Sequence, residues 1–420
     1  MTKKTKIGLM NTQITSYPKE KIHILLLESI SPNATKVFKN NGYSNVQTIA
    51  GALSEDDLIS AVKDVHLLGI RSKTKVTEKV LAAAKKLQAI GCFCIGVNQV
   101  DLQAATKYGV TVFNAPYSNT RSVAELVIGA AIMLIRRIPD KNNAAHKGIW
   151  MKEAKGSYEL RGKTLGIIGY GNIGSQLSIL AEALGMKVLF YDVETKMPLG
   201  NAAAVKTLPE LVASADVISL HVPENAGTKN LINKELLAEF KKGSILINYA
   251  RGKVVDIDAL SASLSEGRLG GAAIDVFPVE PEKNGDKFIF PLQSLPNVLL
   301  TPHIGGSTEE AQQNIGEDVS NKLFQFLEKG ITNGSHTVPS LALPPQENTH
   351  RILHVHKNVP GVLSAINTQL SSNDINIIAQ YLKTNDEIGY VVLDVDKKFS
   401  AQAAELLKDV KETIKVRVLY

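Results

Sequence analysis

Cysteine is almost missing from the 420 residues: only Cys92 and Cys94 occur. Two are too few for a disulfide framework, so a reducing compartment is expected. Their C-x-C spacing falls in an apolar strand beside Phe93 and Ile95, and packing is the expected role. Tryptophan occurs once, at Trp150, where packing or a subunit contact is expected. A long hydrophobic run is also lacking. The longest, Leu126 to Ile135, has ten residues, about half of the roughly 20 that a bilayer span needs. Glu125 before it and Arg136 and Arg137 after it mark a buried helix. The lysine-rich N-terminus has no continuous apolar stretch behind it, which excludes a secretory signal. No internal repeat or low-complexity tract is visible. A cytoplasmic chain with no membrane partner is expected.

Charge of one sign is only mildly in excess, at +6 with a pI near 9.0. Lys3, Lys4, Lys6 and Lys19 against Glu20 place half of that excess in a flexible tail, residues 1–20. A tail is where solvated charge costs least, so no nucleic-acid partner is needed. Hydrophobic residues at 44% and charged residues at 21% describe an ordinary globular chain. Its length predicts two to four domains, at roughly 100–200 residues each.

Short apolar runs alternate with helical stretches through the first third. Strands are expected at His23–Leu27, Val65–Ile70, Ala89–Ile95 and Thr111–Asn114, with helices at Pro32–Asn41, Thr77–Leu87 and Leu102–Tyr108. That alternation implies βαβ units and a parallel sheet. Ser122 and Glu125 have capping-box spacing at the start of a helix expected to reach about Ile138. Six further strands follow: Leu165–Gly169, Lys187–Asp192, Asp216–His221, Ser244–Asn248, Gly271–Asp275 and Val298–Thr301. Six strands separated by helices complete a dinucleotide-binding domain. A helix from Thr308 to about Lys329 leads into Gly330–Pro345, whose glycines, serine and three prolines read as a linker. Residues 348–420 then read βαββαβ, the ferredoxin-like order.

Gly169-Tyr-Gly171-Asn172-Ile173-Gly174 matches G-x-G-x-x-G between a strand and a helix. Gly169 permits the tight turn, Gly171 lets a pyrophosphate approach the backbone, and Gly174 lets helix and strand pack closely. Phosphate charge there meets the positive end of the helix. Asp192 ends the next strand, 18 residues after Gly174. It is placed for the ribose hydroxyls and would repel a 2′-phosphate, so NAD is favoured over NADP.

Polar residues also follow three strands of this domain. Arg251 stands in Asn-Tyr-Ala-Arg-Gly, Asp275 and Glu280 in Asp-Val-Phe-Pro-Val-Glu-Pro, and His303 in Thr-Pro-His-Ile-Gly-Gly. Strand ends are where an open α/β sheet presents its ligands. His221 also ends a strand, and it either lines the same cleft or is simply structural.

Those segments, with Gly91-Cys-Phe-Cys-Ile-Gly96 and Phe113–Glu125, resemble the D-isomer-specific 2-hydroxyacid dehydrogenases from about Lys21 to Tyr420. The resemblance implies two doubly wound parallel-sheet α/β domains, a flavodoxin-like substrate domain (21–118 with 306–335) and a Rossmann NAD-binding domain (119–305). A linker (336–347) and a ferredoxin-like ACT domain (348–420) complete the implied organisation. His303 would act as acid/base, Glu280 would orient it, and Arg251 would hold the substrate carboxylate. Implied NAD contacts are Gly169, Gly171, Asn172, Ile173, Gly174, Asp192, Tyr249, Ala250, Arg251, Asp275, His303, Gly305 and Gly306. The closest family pattern implies oxidation of 3-phospho-D-glycerate to 3-phosphooxypyruvate, opening L-serine synthesis. Its alternatives are another 2-hydroxyacid, reduction of 2-oxoglutarate, or a non-enzymatic NAD-responsive regulator.

Arg71, Ser72 and Lys73, with Asn119, would clamp the substrate phosphate. Lys73 stands where the pattern commonly carries a second arginine, which keeps the charge but loses the planar fork. His350, His354 and His356 gather near the ACT start, but no carboxylate or thiolate joins them at ligand spacing, so no metal is expected. His356, Asn358 and Asn376 match the family's serine-binding positions, with L-serine as effector. Such sites form between paired ACT domains, so a homo-oligomer, most simply a homotetramer, is implied.

Overall fold

The computed structural model describes residues 18–281 and 285–419, in two compact units. One joins Met1–Pro116 to Gln312–Tyr420; the other is Tyr117–Ala311. Most of the expected tail lies outside the described residues. Lys19–Lys21, at its end, form a 3-10 turn in which Lys19 pairs with Glu328 at 3.0 Å, so the last of the tail joins the fold.

In the first unit β1 (Ile24–Leu26), β2 (Val46–Thr48), β3 (Leu67–Ile70), β4 (Ala89–Cys92) and β5 (Thr111–Asn114) form a parallel sheet in the order β2-β1-β3-β4-β5. This is the flavodoxin-like order. Except in β2, every residue of these strands is buried, because helices cover both faces and no alternation is needed. β2 and the helix Glu55–Ala61 were not foreseen: β2 is a half-exposed edge of three residues without a hydrophobic run.

Among its described residues the second unit holds seven parallel strands: β6 (Thr164–Ile168), β7 (Lys187–Tyr191), β8 (Ala203–Ala204), β9 (Val217–Leu220), β10 (Ile245–Asn248), β11 (Gly271–Ile274) and β12 (Val298–Leu300). Their order is β12-β11-β10-β9-β6-β7-β8, with the reversal between β6 and β9. The expected six strands are all present; β8 adds a seventh, two exposed alanines paired to Leu189 and Phe190. The long helix departs more from expectation. It starts at Thr120, not at Ser122, so the capping box does not form. Ser122 instead meets the Thr308 hydroxyl at 2.9 Å, and Glu125 pairs with Arg121. The helix stops at Ile135, and a second begins at Ile138 after Arg137 takes a left-handed φ of 52°. Pro139, in the first turn of that second helix, cannot continue an earlier one.

β13 (Thr349–Lys357), β14 (Ile377–Thr384), β15 (Ile388–Asp396) and β16 (Thr413–Leu419) make an antiparallel sheet in the order β14-β15-β13-β16. Helices Val362–Ser371 and Ser400–Lys408 cover one face. Val338 and Leu343 pack on the other, against Leu353, Val355, Tyr390 and Val392. The stretch read as a linker is therefore packed structure. Thr337 Oγ1 accepts from Val112 N and donates to Val110 O, and His336 N donates to Val112 O. Val338 and Leu343 are buried, and Ile331 and Leu341 are partly buried against the same cluster. Arg351 is fully buried (0% exposed), with both Asp394 carboxylate oxygens at 2.7 and 2.8 Å. It also donates to the carbonyls of Lys329 and Pro344, at the two ends of that stretch.

Candidate active site

The glycine-rich turn follows β6, beside the reversal of strand order, where a doubly wound sheet opens a crevice. Gly169 has φ 93°, and a Cβ there would overlap the His221 carbonyl. A Cβ on Gly174 would strike the Gly169 carbonyl, so both must be glycine. Gly171 caps the helix Asn172–Ala183 and faces open space, the cradle a pyrophosphate requires. Asp192 accepts from Tyr170 N at 2.7 Å and from Glu194 N at 2.9 Å, which fixes its carboxylate at the end of β7. His221 is held by Ser219 at 2.9 Å, and burial lowers its pKa to about 3. It is therefore a neutral ring and a poor proton shuttle near neutral pH. Tyr249 is buried and Ala250 N donates to Asn248 Oδ1 at 3.1 Å, tightening the turn after β10.

His303 sits at the centre of the other group. Its Nδ1 lies 2.9 Å from Glu280 Oε2, and Phe277 N donates to Glu280 Oε1 at 3.1 Å. The Glu280 hydrogen bond raises the His303 pKa against the opposing effect of burial. Burial pushes the Glu280 pKa up, but donation from His303 and Phe277 and the nearby Arg251 bring it below its ordinary value. Arg251 thus acts on both groups; its own Nη1 donates to Ala250 O at 2.7 Å. With Nδ1 engaged, the neutral ring carries its lone pair on Nε2.

Asp275 explains how His303 is held. Its carboxylate is 1% exposed and accepts from Thr301 Oγ1 (2.6 Å), Ile304 N (2.8 Å) and Gly305 N (2.7 Å). Those bonds brace a turn in which His303 takes a left-handed φ of 54°, a conformation that costs of order 1–3 kcal/mol for a non-glycine residue. Asp275, an implied NAD contact, has both carboxylate oxygens engaged by the histidine turn. Thr301 was missed as a separate residue, although the Thr-Pro-His motif contained it. A Cβ on Gly306 would meet the Asn119 side-chain amide. Asn119 is buried ahead of the helix Thr120–Ile135, makes no side-chain cap bond, and its buried Oδ1 has no hydrogen-bond partner among the described residues.

Arg71, Ser72 and Lys73 follow β3 in the first unit. Arg71 is half-buried, whereas Ser72 and Lys73 are exposed. Burial raises the Cys92 and Cys94 pKa values, as packing residues in and after β4 require.

On β13, His354 and His356 face each other with Nδ1 atoms 3.3 Å apart, as their shared strand face anticipated. His354 Nε2 meets Thr413 Oγ1 at 2.9 Å, and burial with its neighbour His356 lowers its pKa to about 4. His356 is buried over Gly389, where any Cβ would overlap its ring. Asn358 is exposed and donates to Asn385 O at 2.7 Å; Asn376 is exposed. His350 bonds the Ser400 hydroxyl at 2.7 Å. Among the described residues, no three His, Cys, Asp or Glu side chains are placed to hold a metal ion. Nor, among them, is any helix long and apolar enough to cross a membrane.

Residues 128–305 match the family model for the D-isomer specific 2-hydroxyacid dehydrogenase, NAD binding domain. Residues 352–417 match the AHAS small subunit-like ACT domain. The chain is 53% identical over 409 residues to D-3-phosphoglycerate dehydrogenase of Haemophilus influenzae, covering 97% of this chain and 100% of that one. To the enzyme of that name from Escherichia coli it is 51% identical, over 96% and 99% of the two chains. Among solved structures, D-lactate dehydrogenase of Aquifex aeolicus, complexed with NAD and lactic acid, superimposes with a TM-score of 0.64. That match has 29% identity and covers 76% of this chain and 100% of the other.

Proposed function

The chain belongs to the D-isomer-specific 2-hydroxyacid dehydrogenases, and from that membership we propose that Arg251, Glu280 and His303 form its catalytic set. Its reaction is the NAD-dependent oxidation of 3-phospho-D-glycerate to 3-phosphooxypyruvate, the entry to L-serine synthesis, and the ACT domain fits allosteric regulation of that step. The observation that carries the assignment is the 2.9 Å His303–Glu280 pair on a braced turn, within the electrostatic reach of Arg251.

The open cradle at Gly171 and the fixed carboxylate of Asp192 fit a dinucleotide. NAD, when bound, supplies the hydride acceptor. His303 Nε2 takes the proton of the substrate 2-hydroxyl, and the resulting imidazolium is stabilised by Glu280 through Nδ1–H. Arg251 binds the substrate carboxylate with its planar fork and polarises the reacting oxygen. Arg71 and Lys73 take the phosphate. Asp275 and Thr301 keep the His303 turn in its strained conformation.

L-Serine is the effector in this reading, taken at His356, Asn358 and Asn376, and the working assembly is a homotetramer. Support for subunit contacts comes from exposed apolar side chains: Trp150 (85% exposed) with Ile149 and Met151, and Ile378 and Leu382 on the edge strand β14. Free Cys92 and Cys94 support a reducing, cytoplasmic setting. The test is NADH formation from 3-phospho-D-glycerate, from D-glycerate and from D-lactate, each with and without L-serine. Turnover much faster with the phosphorylated substrate than with the other two, and reduced by L-serine, is expected. Equal turnover of all three contradicts the phosphate assignment, and indifference to L-serine contradicts the effector.

A further inference from the structure

A buried carboxylate lies under the turn that carries Arg71 and Lys73. At the end of β1 the chain bends through Glu28 and Ser29, both with left-handed φ, 60° and 51°. The bend turns the Glu28 side chain inward, where it is only 7% exposed. Glu28 Oε1 accepts from Arg71 N (3.1 Å) and Thr74 N (2.9 Å), and Oε2 accepts from Lys73 N (3.0 Å). The turn is held from its other side as well: Gln99 Nε2 donates to Arg71 O at 2.7 Å.

Successive backbone N–H groups converging on one point form a nest for an anion. Here the nest is already filled by the protein's own carboxylate. A substrate phosphate must then rely on the side chains of Arg71 and Lys73, neither of which is in an ion pair among the described residues. Burial pushes the Glu28 pKa up, yet donation from Thr74, Lys73 and Arg71 brings it below the ordinary value. The carboxylate is charged at neutral pH and its lone pairs are engaged by the loop.

We propose that Glu28 is a positioning residue for substrate: an internal anion that fixes the backbone of Arg71–Thr74 and so sets the direction from which Arg71 and Lys73 meet the phosphate. This rests on the reading of Arg71 and Lys73 as phosphate ligands. Two positive-φ residues in succession at the end of β1 are accounted for by the same need, since an extended chain there would carry the carboxylate past the loop.

The test is steady-state kinetics of the full-length Glu28→Gln enzyme beside Arg71→Ala. Glutamine keeps the shape but puts an amide donor against the loop N–H groups. Glu28→Gln is expected to raise KM for 3-phospho-D-glycerate about 10-fold, with kcat, KM for NAD and kcat/KM for D-glycerate within about twofold of wild type. If Arg71→Ala raises that KM and Glu28→Gln does not, the positioning role is overturned and the clamp survives. If neither does, the clamp fails and the positioning role with it. A lower kcat/KM for D-glycerate and a higher KM for NAD alongside the higher KM for 3-phospho-D-glycerate mean a general structural role and also overturn it. Should Glu28→Gln not fold, amide hydrogen exchange of Arg71, Lys73 and Thr74 in the wild-type enzyme decides. Protection already complete without substrate supports Glu28 as the occupant; protection that appears only on adding 3-phospho-D-glycerate overturns it.

Discussion

His303 is held in an uncommon backbone conformation by residues that do not react. Asp275 and Thr301 brace its turn, while Glu280 takes its Nδ1 and raises its pKa. The sign of the resulting pH dependence follows. As the proposed general base, His303 must be neutral to oxidise the alcohol, so activity is expected to fall on the acid side through its pKa, which Glu280 raises above the ordinary histidine value. Glu280→Gln removes the carboxylate, and the acid limb of kcat/KM is expected to move to lower pH. The plateau should fall by about 10²-fold as the ring loses its orienting partner. A pH–rate profile checks this; a limb that stays put or moves upward contradicts it. His303, Glu280 and Arg251 were legible because they stand in short polar motifs at strand ends. Glu28 was not, because its carboxylate meets three N–H groups 43 to 46 residues away, and no local pattern announces that.

At the scale of elements, the parallel strands were readable because strands covered on both faces become unbroken apolar runs. β2 and β8 escaped because they are short, exposed edges whose residues need not be apolar. The Gly330–Pro345 stretch misled in the opposite direction. Its composition suits a tether, but Val338 and Leu343 fill the face of the antiparallel sheet left open by the helices. Arg351 draws the two ends of that stretch onto β13 through one guanidinium, with Asp394 as its partner. Breaking a buried, paired charge leaves the other uncompensated, so Asp394→Ala is expected to destabilise this sheet by about 3–5 kcal/mol. Replacing both partners, as Arg351→Met with Asp394→Leu, should recover most of the loss. Urea unfolding followed by circular dichroism distinguishes the cases. An unchanged midpoint in Asp394→Ala would show that the pair does not anchor the sheet.

Across the whole molecule, three sheets divide into two compact units, and the antiparallel sheet shares a unit with the flavodoxin-like one. Within that unit β16 makes the contact: Lys415 Nζ donates to Leu87 O at 2.6 Å and Arg417 Nη2 to Leu327 O at 2.6 Å. The same strand offers Thr413 to His354, next to the effector candidate His356. Sequence order alone could show a βαββαβ module but not which strand it lays against its neighbour, since β16 is no more apolar than β14. The measurement that bears most directly on the catalytic assignment is the turnover of His303→Ala with 3-phospho-D-glycerate and NAD, beside a binding titration of NADH. A fall in kcat of about 10³-fold with NADH affinity preserved is expected of a general base. A variant that keeps kcat within tenfold of wild type would contradict the role of His303 and, with it, the chemistry assigned to the site.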